Sequence, residues 1–190
     1  MQKRGATQMA IAEDIYARCR VCTDKAVGVL TDILNNHALD PTAVQARRTA
    51  ADIAADTTYA LLCRAFITPI DREDLWLLRE TAEHVWCAAE DTSLLLYRYG
   101  RQLPHTCAPI IHATIACCAA AKQVTEAFPS PDTIAQQMRV LREAQHTCHT
   151  TLHDCFTDVT TRRICQHAFC VITACEHLIA ALRYAAMKNG

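Results

Sequence analysis

The chain has very few places at which a helix must stop. Its 190 residues include only four glycines and six prolines, and alanine, the strongest helix former, is abundant. The turn-forming residues gather in a few short stretches: 36–41, 68–71, 100–105 and 129–132. Between them run long segments in which apolar residues recur every three or four positions, the spacing of one helix face. Strand-like runs of Val, Ile, Thr and Tyr are missing, and aromatic residues make up only 6%. A chain built this way is predicted to be all-α, with long helices and short connections.

Six helices are expected. The first covers about residues 7–35, with Ile11, Ile15, Cys19, Cys22, Leu30 and Leu34 on one face. Asp40-Pro41 opens the second by cap and first-turn logic, and it runs to about 66. The third spans about 71–99, with Leu75, Leu78, Ala82, Val85, Ala89 and Leu96 as its core face. The fourth covers about 105–128, the fifth ends near 156, and the sixth covers about 158–187. Ile164, Ala168, Ile172, Cys175, Ile179 and Leu182 make the sixth amphipathic. Rods of ~33–45 Å follow from the rise of 1.5 Å per residue, and short connections make successive helices antiparallel. The length fits a single domain, 1–190, with halves of about 1–100 and 101–190. A faint internal echo supports the halves: Phe66 and Phe156 each close a second helix, and Arg72 and Arg162 each follow six residues later.

With 19 basic and 20 acidic residues the net charge is −1, so there is no long-range pull towards nucleic acid. Glu13 and Asp14 interrupt any apolar leader after the charged start. The most apolar stretch, 109–121, is shorter than the ~20 residues of a membrane span and carries His112. A cytoplasmic protein is expected. The twelve cysteines fall largely on apolar helix positions, Cys19, Cys63, Cys117 and Cys175 among them, where a reduced thiol packs as a small hydrophobe.

The most specific stretch is Phe66-Ile67-Thr68-Pro69-Ile70-Asp71-Arg72-Glu73-Asp74-Leu75. It reads as a tight helix–helix corner. Pro69 suits a helix start, and Asp71 and Asp74 suit the unpaired N–H groups and the positive dipole end of the third helix. Arg72 and Glu73 have no such local duty: they either pair with other helices or present a docking surface. This stretch resembles the hallmark of the PhoU-like phosphate transport regulators, the accessory proteins of Pit-type phosphate transporters. Cys175-Glu176 followed by Lys188-Asn189, and Tyr97 before the mid-chain turn, are similar too. The resemblance implies two pseudo-symmetric three-helix bundles in one elongated domain. It also implies a regulator or accessory of phosphate transport, peripheral to the inner face of the membrane, with Thr68, Pro69, Asp71, Arg72, Glu73 and Asp74 as its motif residues.

In PhoU-like proteins, acidic pairs at i and i+4 on the second and third helix of each half hold metal clusters. Here those positions read Arg48, Asp52, Glu83 and Cys87 in the first half, and Leu141, Gln145, Phe169 and Thr173 in the second. Two carboxylates of eight remain. The second-half site therefore reads as abandoned. The first half keeps Asp52 and Asp56 across from Glu80, Glu83, His84 and Cys87, a degenerate site for a divalent metal such as zinc, iron or magnesium. The plainer reading of the same residues is a solvated acidic stripe with Cys87 turned to the core.

Other constellations point away from catalysis. His146, His149 and His153 share a face of the fifth helix but lack the glutamate of a metalloprotease motif. Cys19-x-x-Cys22 has no second pair. Glycines at 5, 28, 100 and 190 cannot form a phosphate loop, and Ser93 and Ser130 are the only serines. No enzyme is expected. Three functions compete: an accessory of a phosphate transporter acting by protein contact, a metal-binding helical protein, and a structural bundle that forms homo-oligomers through the small residues of 115–121.

Overall fold

The computed structural model describes residues 2–65, 70–100, 102–126, 131–154 and 158–189, of which 2–9, 131, 152, 154 and 189 are described by backbone alone. Six long helices and one short 3-10 turn account for nearly all of them: α1 (Gln2–Leu34), α2 (Pro41–Arg64), α3 (Arg72–Arg98), α4 (Ala108–Glu126, preceded by the turn His105–Cys107), α5 (Pro131–Asp154) and α6 (Val159–Asn189). Most ends fall within a few residues of those expected from the turn residues.

The ends have local causes. Asp40 caps α2, its Oδ1 accepting from the Thr42 backbone N–H at 3.2 Å, with Pro41 in the first turn. Asp158 caps α6, accepting from the N–H groups of Thr160 and Thr161 at 3.0 and 3.1 Å. Asn36 takes the left-handed conformation at φ 59°, which ends α1. Its Oδ1 then accepts from Leu103 N–H at 2.7 Å, tying the first turn to the mid-chain connection. Gly100, at φ 89°, does the same job of stopping α3.

One core runs through both halves. α3 packs most extensively on α6 and α1, and α1 also packs on α4, which in turn lies against α5 and α6. The core faces expected for α3 and α6 are buried throughout. On α1, Ile15, Cys19, Cys22 and Leu30 are buried, while Ile11 and Leu34 are partly so. The pairs α1–α4 and α3–α6 bring the first and third helices of each expected half against their counterparts.

The two peripheral helices differ. α5 packs against both α4 and α6, whereas α2 packs mainly on α3. Only Val44, Ala51 and Leu62 of α2 are buried. Cys63 is consequently exposed, against the expectation of a packed thiol, because α2 has one stripe in contact and Cys63 lies off it. The small residues of 115–121 are not a free face either: Cys117, Cys118, Ala120 and Ala121 are buried inside the bundle. Residues 105–126 and 159–188 are apolar and long enough to cross a membrane, which the expectation for 109–121 alone had not included, yet about half of each apolar window is buried in the bundle (50% and 56%). Their apolar residues form much of the core.

Candidate functional site

Arginines fasten α2 to α3. Arg47 donates through Nε to Glu90 Oε1 at 2.7 Å, and its two Nη groups reach Glu83 and Glu90. Arg48 donates to Glu90 Oε2 at 3.0 Å, to Asp91 Oδ1 at 2.8 Å and to the Cys87 carbonyl at 3.0 Å. From α1, Arg18 donates to Glu83 Oε2 at 2.8 Å. The Trp86 ring lies close to two of these guanidiniums, its centroid 4.1 Å from Arg47 and 5.5 Å from Arg18. Further along, the buried Arg79 donates to the Ala51 carbonyl at 3.1 Å. Forked guanidiniums suit such shared, partly buried carboxylates better than lysine would.

The charges tune one another. Burial works against the ionised Glu83, but Arg18 and Arg47 prevail and hold its carboxyl below the ordinary glutamate value. Burial likewise opposes the charge on Arg47, and Glu90 and Cys87 outweigh it and push the guanidinium further up. Cys87 is pushed up by burial although Arg47 and Arg48 pull the other way. Cys22, which donates to Glu83 Oε2 at 3.5 Å, is raised by burial and then by the Glu83 charge.

This network decides how well the first half fits a metal. Asp52, Glu83, His84 and Cys87 do line one open groove between α2 and α3, of about 430 Å³. Asp56 is not among its lining residues. Both Glu83 oxygens are engaged by arginines, Arg47 Nη2 donates to the Cys87 sulfur at 3.3 Å, and Asp52, Asp56 and His84 are exposed. Arg48 stands where the resemblance places an acidic ligand. Among the described residues no three Cys, His, Asp or Glu side chains converge as a metal ion would require. The donor set does not fit a metal cluster; guanidinium charge occupies its place. In the second half Leu141 is buried, Gln145 donates to Glu176 Oε2 at 2.9 Å, and Phe169 packs against the His149 ring at 5.4 Å.

At the corner, Phe66, Ile67, Thr68 and Pro69 lie outside the described residues. Asp71 is the N-cap of α3, but its side chain makes no cap hydrogen bond, contrary to the local role expected of it. Asp71 pairs instead with Lys188 of α6, and buried Asp74 lies 3.4 Å from the same ammonium. The hydrogen bond with Asp71 and the nearby Asp74 charge hold Lys188 above the ordinary lysine value. Arg72 and Glu73 are exposed and form no ion pair with another helix among the described residues. They line a groove of about 690 Å³ with Tyr59, Leu62, Trp76 and Leu77. Tyr59 is 58% exposed and Leu77 45%, and the Tyr59 and Trp76 rings meet edge-on at 5.5 Å.

Sequence reasoning missed Arg18, Arg47, Glu90 and Asp91 as members of the clamp. A signal existed: Glu83 and Glu90 are seven apart on an otherwise apolar-faced helix, facing an Arg-Arg pair on a helix with few apolar anchors.

No protein-family model matches the chain, and no curated protein sequence matches it. Solved structures do. One, described as a PhoU-like phosphate regulatory protein from Shewanella oneidensis MR-1, superposes with a TM-score of 0.62 at 15% identity, covering 95% of this chain and 99% of that one. A second, described as a PhoU-like protein from the same organism, gives 0.62 at 16% identity with the same coverage. The chain has the PhoU-like fold.

Proposed function

We propose that the protein is a non-catalytic regulator or accessory of phosphate transport that works by docking on a transporter of the Pit type at the inner face of the membrane. The observation that carries the reading is the corner groove. Tyr59 and Leu77 expose apolar surface beside Arg72 and Glu73, and an apolar floor with a charged rim is the composition of a protein interface. The PhoU-like fold, and the phosphate-regulatory description of a structural neighbour, support the choice of partner. The groove lies on α2 and α3, whose contact is sparse in apolar residues, so a partner can alter it without disturbing the main core.

The test is co-purification with the Pit-type phosphate transporter of the same organism. The wild type should be retained by the transporter, and Trp76→Ala or Glu73→Arg should reduce retention severalfold, since aromatic anchors dominate interface energy. Retention unchanged by both substitutions, or absent at every phosphate concentration, would contradict the reading. Covering of the same groove by a second copy is the competing outcome. It would appear in light scattering as a dimer mass that Trp76→Ala abolishes.

A further inference from the structure

Where the halves meet, the last turns of α3 and the first turns of α6 flank an open cleft of about 280 Å³. Arg98, Arg163, Gln166 and His167 line it, together with Asp91 and the buried Leu95. Two guanidiniums, an imidazole and a carboxamide give a set of side chains dominated by N–H donors. Such a set suits an oxyanion: a guanidinium fork makes two parallel bonds to phosphate oxygens. Arg163 is already oriented, its Nη1 donating to the Tyr99 hydroxyl at 3.2 Å, which lowers the ordering cost of binding. The one carboxylate present is partly offset, because Asp91 pairs with Arg48 at 2.8 Å while its side chain stays half exposed. The volume lies below the ~300–1,000 Å³ of pockets that enclose larger organic ligands, which favours an ion or a small head group.

We propose that this cleft binds a phosphate group, either free inorganic phosphate or the phosphomonoester end of a small molecule. Asp91 belongs both to the cleft and to the arginine clamp, so an anion there acts on the carboxylate that helps to hold α2. Binding is a property of the isolated chain, and its failure would leave the docking proposal standing.

Isothermal titration of the full chain at low ionic strength with inorganic phosphate, AMP and inorganic sulfate tests this. Saturable binding of phosphate or AMP is expected with a dissociation constant of about 1 mM or tighter, and sulfate, which offers the same acceptor oxygens to the same donors, should compete for the site. Tighter binding of AMP assigns the phosphomonoester, and tighter binding of phosphate the free ion. The double variant Arg98→Gln/Arg163→Gln should weaken binding roughly tenfold or more through loss of two charged donors. Both side chains are exposed, so its circular dichroism should match the wild type. Asp91→Asn should tighten binding severalfold by removing the repelling charge. Arg183→Gln, on a different groove, should change nothing. Equal affinity in the double variant, no competition from sulfate, or no saturable binding of phosphate or AMP would overturn the proposal.

Discussion

Lys188, in the last turn of α6, forms an ion pair with Asp71, the N-cap residue of α3, and its ammonium also lies 3.4 Å from the buried Asp74. The corner motif and the chain end are thus two sides of one contact. Lys188→Gln should leave the global fold intact but raise amide hydrogen exchange in the first turn of α3 and the last turn of α6. Asp71→Asn should reproduce a smaller part of that change, because Asp74 keeps its neighbour. Unchanged exchange at both ends would show that the pair orders nothing.

The arginine clamp should be the dominant hold on α2. Removing Arg47 leaves Glu90, only 3% exposed, with Arg48 alone, and deprives Glu83 of one of its two cations. Arg47→Ala is expected to cost about 2–4 kcal/mol in urea unfolding, somewhat less than breaking a fully buried charged pair, because Arg47 and Glu83 keep some contact with solvent. Arg47→Lys should recover little of the loss, since a lysine cannot bridge two carboxylates and cover the Trp86 face in the same geometry. Proteolysis within α2 should accelerate in both variants.

Acid should loosen the same region. Glu83 has a folded-state pKa below its unfolded value, so its ionisation contributes stability that is fully present above the ordinary glutamate range. That contribution fades as pH falls through the lower, folded value. Unfolding free energy measured from neutral to acid pH should therefore decline more steeply in the wild type than in Glu83→Gln, which should be less stable near neutrality. Parallel profiles would remove Glu83 from the clamp.

Chelators should not matter. With both Glu83 oxygens held by Arg18 and Arg47, purified protein should carry well under one equivalent of zinc, iron or magnesium. Its thermal midpoint should be unchanged by EDTA. A stoichiometric metal lost together with thermal stability would contradict the clamp as described.

The architecture was legible because its cause is local. Asp40-Pro41, Asn36, Gly100 and the period of Leu75, Leu78, Ala82 and Val85 each act within a few residues, and the helices follow from them. Asp71 shows where that reading stops: cap logic assigned it to its own helix, while the fold delivers Lys188 from the far end of the chain. The clamp was hidden for the same reason. Arg47 and Arg48 look like solvated charges until α3 brings Glu90 and Asp91 opposite them. Cys63 and Cys19 both follow helical apolar spacing, yet Cys19 is enclosed and its thiol pushed up to about 12 by burial, whereas Cys63 lies on a helix with too few neighbours to cover it.

Photo-crosslinking from the corner groove tests most directly the proposed docking of a phosphate transporter there. A photoreactive amino acid at Leu77, exposed beside Arg72, Glu73 and Trp76, should crosslink in cells to the Pit-type transporter. The same group at exposed Arg183, on another groove, should not. Crosslinks from position 77 that join only two copies of this chain, or none while the transporter is present, would contradict the account.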